Sequence, residues 1–322
     1  MSIIGIESIA YGVEDVATSA RFFEDFGLPL ARRDDKGADF HLAEGSSVRI
    51  RTMDDPTLPA PFARGPGLRE LVWGVDTEQA LDGIATELGR DRALRRDNDG
   101  TIHTNDDAGI AVGFRLYPRK TPQDAPQSEN GLATMKRWNQ LRKWYHVARP
   151  QVLHHAVFFV PDVDKGVSFY TKRLNFRVTD MIRHAGVFMR CDGRPDHHNL
   201  FFIRAKEPRF NHVAFGVENI DEMMTGLNIM QRNGWTSREG LGRHRATSII
   251  FCYMDCPAGG TCEYMCDSDY LTDAWQPNLW EPGFANYHWL ADWDAKMPAP
   301  EWKVKPLPTP VPSFSEACAL PE

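Results

Sequence analysis

The 322-residue chain has no apolar run approaching the ~18 residues that cross a bilayer. It also lacks an excess of positive charge: 37 Lys and Arg stand against 44 Asp and Glu, for a net charge of −7. That balance argues against a nucleic-acid or anionic-membrane surface and favours a small-molecule partner. The start, MSIIGIESIAYGVEDV, has no basic stretch and too short an apolar run for a secretory leader, so cytoplasmic residence is expected. Cysteines are few, six in all, and in that compartment they read as reduced thiols rather than a disulfide framework. Four of them crowd together at Cys252, Cys256, Cys262 and Cys266. Their spacing is not the tight C-x2-C of a structural zinc site, and buried free thiols are the expectation. What remains, 42% hydrophobic and 25% charged, is the profile of a soluble globular protein.

Self-comparison organises the chain. HHAVFFVPDV (154–163) aligns without gaps on NHVAFGVENI (211–220), and a helical pattern follows each. The same strand-then-helix unit begins at Ser8 (SIAYGVEDVATSARFFEDFGL) and at Glu70 (ELVWGVDTEQALDGIATELGR). Short alternating segments such as GVFMRCDG, HHNLFFIRA, SIIFCYM and GTCEYMC complete the units. The reading is an α+β fold of four tandem βαβββ modules near 4–56, 67–118, 151–206 and 209–270, paired into two similar barrel-like domains. The expected boundaries are 1–118 for an N-terminal domain without metal, 119–150 for a linker with a basic helix (GLATMKRWNQLRKWYHVA), and 151–296 for a catalytic domain. A Pro-rich tail over 297–322 is expected to wrap its own surface as an extended arm, with Trp275, Trp280, Trp289, Trp293 and Trp302 before or within it.

The repeat selects among the histidines. His155 and His212 share a column, whereas His154 aligns with Asn211. Since neighbours on a strand alternate faces, His155 is the chemical candidate and His154 the satisfied bystander. Ala214 and Gly216, on the His212 face, leave room beside it. Glu263, in mid-strand between Cys262 and Tyr264, supplies a carboxylate that is expensive to bury without a partner. Two neutral imidazoles and one carboxylate form the facial arrangement suited to ferrous iron and dioxygen, with Mn(II) as the other ion such donors accept. The first two modules place Ser8, Glu70 and Gly113 at the three ligand positions, so one metal centre per chain is expected.

At these residues the chain resembles the type I extradiol ring-cleaving dioxygenases of the vicinal oxygen chelate superfamily, most specifically over 151–270. The resemblance rests on HAVFFVPD for the first metal histidine, NHVAF for the second, and DCPAGG ahead of the glutamate. It implies further roles: an acid–base histidine in DHHNLFF, His198 in preference to His197, and substrate contacts from His244 in GLGRH and Tyr253 nine residues later. It also implies a catechol-type substrate, O2 as co-substrate, a muconic-semialdehyde-type product and a homo-oligomer. Ala246 stands where relatives that cleave biphenyl-type catechols carry Asn, which points to a substituted monocyclic catechol or a trihydroxylated ring. Alternatives on the same scaffold are a metal-dependent glyoxalase- or epimerase-like lyase or isomerase, which usually draws four ligands from two modules, and a non-enzymatic ligand-binding protein. The intact triad disfavours both. His41, His103, His146, His184 and His288 carry no site role in this reading.

Overall fold

The computed structural model describes residues 2–122, 129–291 and 304–321. Module one is β1 (Ile3–Val13), α1 (Val16–Asp25), β2 (Leu30–Asp34), β3 (Gly37–His41) and β4 (Ser47–Thr52). Module two is β5 (Gly67–Val75), α2 (Glu78–Leu88), β6 (Arg95–Arg96), β7 (Ile102–Asn105) and β8 (Ala111–Leu116). Module three is β9 (Val152–Val160), α3 (Val163–Arg173), β10 (Arg177–Ile182), β11 (Gly186–Arg190) and β12 (Leu200–Arg204). Module four is β13 (Arg209–Gly216), α4 (Ile220–Arg232), β14 (Ser237–Arg243), β15 (Ile250–Asp255) and β16 (Thr261–Cys266). The polar stop after each leading strand is a helix N-cap: the side chains of Asp15, Thr77, Asp162 and Asn219 accept from backbone N–H groups of the first turn.

Modules one and two share one mixed sheet, ordered β2-β3-β4-β1-β5-β8-β7-β6. Modules three and four share the second, in which the same order recurs from β10 to β14 around the antiparallel β9–β13 pair. Side chains from β10 and β11 on one arm and from β15 and β16 on the other line a single cavity, so this sheet curls round it. The two halves also pack on each other. Phe26 stacks on Tyr264 at 3.8 Å between centroids, and Tyr264 Oη donates to the Phe26 carbonyl at 2.8 Å.

Each leading strand carries a β-bulge at the same place. One extra residue interrupts the register at Glu7 of β1, Arg69 of β5, His154 of β9 and Asn211 of β13. In every case the residue that follows (Ser8, Glu70, His155, His212) is the one that the repeat aligns with a ligand position.

Beyond module four, β17 (Asn278–Trp280), α5 (Pro282–Asn286) and β18 (Trp289–Leu290) extend the second sheet at both edges. Then β19 (Val304–Pro306) pairs with β17, and α6 (Phe314–Cys318) buries Phe314 and Ala317. Asp164 of α3 accepts from the Phe314 and Ser315 backbone N–H groups, pinning the tail to its own domain. Trp293 and Trp302 lie outside the described residues.

One expected element is absent. Residues 129–150 contain no helix, only turns and a bridge between Gly131 and Thr134. The apolar residues here, Leu132, Met135, Trp138, Leu141, Trp144 and Val147, recur every third position. On a helix that spacing drifts by about 60° per step and encircles the axis, so no apolar face forms to dock.

Candidate metal centre

His155, Ala214, Glu263 and Tyr253 form one row across four strands, each paired with the next. His155 and Glu263 are therefore two strand spacings apart, about 9.6 Å. Ala214 between them is fully buried and small, and the two long side chains lean together over its methyl group. His212, two residues before Ala214 on the same face, completes the set. The hairpin that delivers Glu263 turns through Gly259 and Gly260 at φ +105° and +68°, which a side-chain-bearing residue rarely adopts.

The three donor atoms form a nearly equilateral triangle. His155 Nε2 lies 3.2 Å from His212 Nε2 and 3.1 Å from Glu263 Oε2, and His212 Nε2 lies 3.2 Å from the same oxygen. An octahedral face with bonds of ~2.1 Å has edges of ~3.0 Å, so the triangle fits three adjacent ligands of one divalent ion. Both oxygens of Glu263 are buried without a hydrogen-bond partner despite their closeness to the imidazoles. Three lone-pair-bearing atoms aimed at one point, rather than a donor facing an acceptor, is the signature of a metal-ligand set. Among the described residues this is the one group of three or more metal-ligating side chains that converges in this way.

Charge states match the need. Burial pushes the His155 imidazole down to about 4, against the opposing pull of Glu263, so it is neutral near pH 7. Burial alone would raise the Glu263 carboxyl, but the two imidazoles outweigh it and hold the group ionised, well below the usual carboxylate range.

The bulges bring a partner to the Nδ1 of each histidine ligand, and they give the bystander His154 a supporting contact. Alternation would turn His154 away; the extra residue instead brings its ring beside that of His155, with the two Nδ1 atoms 2.9 Å apart. His154 Nε2 faces Asp196 Oδ1 at 3.7 Å. His155 Nδ1–H thus donates to His154, freeing Nε2 for the ion. Asn211 does the same for His212, its Oδ1 accepting from His212 Nδ1 at 2.7 Å. The aligned residues His154 and Asn211 hold the aligned ligands.

The centre opens into a cavity of about 580 Å³. His198, His244 and Tyr253 line it, whereas His197 does not. The His198 ring lies 4.1 Å from that of His155. Its Nδ1 is 3.2 Å from His197 Nδ1, and His197 Nε2 is 3.3 Å from Asp180 Oδ2. Asp180 is itself fixed by Trp280 Nε1 and the Asn278 backbone. This Asp180–His197–His198 chain was not read from the sequence, where Asp180 in RVTDMI has no distinguishing neighbour. His244 Nδ1–H donates to the Asn286 carbonyl at 2.7 Å, so its Nε2 accepts from the Tyr253 hydroxyl at 3.1 Å. Burial and the nearby Glu263 raise the Tyr253 phenol well above its ordinary value. Among the described residues, Ala285, Asn286 and Tyr287 cover one side of the cavity, and Tyr287 donates to Glu239. Val157, Ile182, Phe188, Phe201 and Ile203 form an apolar wall. The four clustered cysteines are buried free thiols.

Paired βαβββ modules wrapped round a His/His/Glu centre have counterparts among known proteins. The family model described as Glyoxalase/Bleomycin resistance protein/Dioxygenase superfamily matches residues 152–259. Metapyrocatechase 2 of Cupriavidus necator is 26% identical over 302 residues, covering 90% of this chain and 90% of its own. The 3-methylcatechol 2,3-dioxygenase of Pseudomonas putida is 29% identical over 264 residues, 74% of this chain and 82% of that one. Among solved structures, a Mn(II)-bound glyoxalase from Novosphingobium aromaticivorans superposes with a TM-score of 0.71 at 21% identity, over 89% of this chain and 91% of that one, a likeness of fold. Over residues 152–259 the chain is thus similar to the glyoxalase/bleomycin resistance/dioxygenase superfamily, and over 74–90% of its length to a metapyrocatechase and a 3-methylcatechol 2,3-dioxygenase.

Proposed function

We propose that the protein cleaves a catechol-type ring next to its diol, using Fe(II) and O2 and working as a homo-oligomer. The substrate class is a monocyclic catechol with an apolar substituent, or a trihydroxylated ring. The observation that carries this is the triangle of His155, His212 and Glu263 donor atoms opening onto a cavity whose walls bear His198, His244 and Tyr253. Residues 151–296 are assigned to catalysis, 1–118 to scaffold and 119–150 to their connection.

Held by His155, His212 and Glu263, Fe(II) would supply Lewis acidity and one-electron chemistry toward the diol and dioxygen. The chain's own residues do the rest. Tyr253 and His244, already joined by a hydrogen bond, receive the substrate oxygens and hold the ring in orientation. His198, neutral where it is buried, takes up a proton released by the substrate diol and returns it to the substrate as the ring opens. The apolar wall of Val157, Phe188 and Phe201 receives the ring substituent and excludes water. Both atoms of O2 end in the ring-opened acid, so no external reductant is needed. Ala246 on the cavity wall supports a monocyclic over a biphenyl substrate.

The test is anaerobic reconstitution with Fe(II), followed by a panel of substituted catechols and air. Oxygen uptake with a visible-absorbing ring-fission product is expected, strongest for substrates with an apolar substituent. No uptake across the panel, with turnover of a methylglyoxal–thiol adduct instead, would replace this reading with a glyoxalase-like one.

A further inference from the structure

The segment that failed to form a helix is built inside out. Six large apolar residues at every third position face solvent, from 43% exposed at Val147 to 79% at Trp144 and complete exposure at Leu132. Several of its polar groups bond to the body instead. Arg142 pairs with Asp221, Lys143 with Glu218, Tyr145 Oη accepts from Asn219 Nδ2, and the Arg149 backbone donates to Glu222, all around the first turn of α4. Asn130 Oδ1 accepts from the backbone N–H groups of Lys136 and Arg137, holding the intervening loop in shape. A surface segment normally buries its apolar side and hydrates its charges. This one does the reverse, which a fixed segment does when something else covers its apolar side.

The six side chains together expose roughly 900 Å², above the roughly 300–600 Å² of the largest apolar patch on a typical monomer and close to the roughly 800 Å² per partner of a standard interface. Residues 130–150 carry five basic side chains and no acidic one; with Arg142 and Lys143 paired to Asp221 and Glu218, three remain to complement a partner, in a chain whose net charge is −7. The cover is therefore expected to be acidic, and a second copy of this chain meets that requirement. We infer that the 130–147 arm is the self-association surface of the protein, each copy laying its Leu132–Val147 stripe on the acidic body of the other in a reciprocal two-fold contact. An anionic lipid surface fits less well, because the net charge of the whole chain, −7, opposes approach to it.

The inference deepens the proposed homo-oligomer and is independent of the catalytic reading. Sedimentation velocity of the full chain across roughly two decades of concentration should show a dimer or a multiple of it. The variant Leu132→Ser/Trp138→Ser/Leu141→Ser/Trp144→Ser should raise the dissociation constant by at least about a hundredfold, since two interface tryptophans are lost. These residues are exposed in the single chain, so its circular dichroism should be unchanged. Hydrogen exchange on the unaltered protein should show amide protection over 130–147 that rises with concentration. A monomer at every concentration overturns both self-association and this surface. Assembly that survives the four substitutions, or exchange over 130–147 that is independent of concentration, overturns the surface alone. Cosedimentation of a monomer with phosphatidylglycerol vesicles, lost in the variant, would assign the arm to a lipid surface and overturn the inference.

Discussion

Removing the His154 ring should weaken metal binding without abolishing it. His154 makes no approach to the ion; it accepts the Nδ1 proton of His155 and so keeps the lone pair on Nε2. In His154→Ala the buried Nδ1–H loses its acceptor, an omission that costs about 1–3 kcal/mol. The ring becomes free to rotate or to adopt the tautomer whose Nε2 carries the proton. A loss of 10–100-fold in affinity follows, equivalent to about 1.4–2.7 kcal/mol. His155→Ala removes a ligand outright and should leave no retained metal after dialysis. The repeat also supplies a rescue: Asn211 does for His212 what His154 does for His155, so His154→Asn should recover much of the lost affinity. The assay is competitive titration of the apo-protein with Co(II) or Zn(II) against a chromophoric chelator, in parallel with anaerobic Fe(II) loading and metal analysis. If His154→Ala binds within about twofold of the unaltered protein, the bulge-borne hydrogen bond is not what orients His155, and the reasoning fails.

Ala214→Leu places branched carbon where the His155 and Glu263 side chains meet, so metal content should fall to background while far-UV circular dichroism persists; full loading would show that the ligands do not converge over residue 214. His198→Ala should keep its metal and lower kcat by about 10²–10⁴-fold, as removal of a proton donor does, and undiminished kcat would exclude it from proton delivery. For the metal-free chain, acidification should destabilise the fold. The folded pKa of His155 is depressed to about 4 by burial, so its neutral form contributes stability above the unfolded value near 6.5 that is lost as pH falls toward 4. That one group is worth at most about 3.4 kcal/mol over the window, and burial shifts His154, His198 and His244 the same way. The Tm of the metal-free protein should drop between about pH 7 and pH 5; a flat profile would mean these rings are not buried neutral.

The legible parts of this protein were those that repeat. HHAVFFVPDV against NHVAFGVENI was enough to align β9 with β13, to pick out His155 and His212, and to mark Ala214 as a small residue on the His212 face, whereas its place between His155 and Glu263 emerges only from the strand pairing. Periodicity of two cannot, however, announce its own interruption. A bulge depends on how many residues the neighbouring strand offers, which is information held at Val157 and Phe158 for Asn211 and at Phe215 for His154. Asp180 stayed hidden for a related reason: its partners His197 and Trp280 are 17 and 100 residues away, and none of the three segments repeats. The linker misled because it was read as a basic helix although its apolar residues recur at a spacing of three rather than three and a half to four.

The bulges of the N-terminal half carry the argument one step further. Glu7 and Arg69 interrupt β1 and β5 where His154 and Asn211 interrupt β9 and β13, yet no metal-ligating set converges there among the described residues. The bulge is thus a property of the module, present with or without chemistry, and the C-terminal half exploits it by what it places on either side. In the N-terminal half the corresponding positions are Ser8, Glu70 and Gly113. Glu70 is engaged by His103 Nδ1 at 2.6 Å, and His103 pairs with Gly113 as Tyr253 pairs with Glu263. A carboxylate already engaged by an imidazole, beside a glycine that offers no ligand, cannot close on an ion. Metal analysis of the fully loaded protein should accordingly give one ion per chain. A second, equally tight ion would mean that Glu70 and His103 separate to bind it, and that the two halves differ less in chemistry than their side chains indicate.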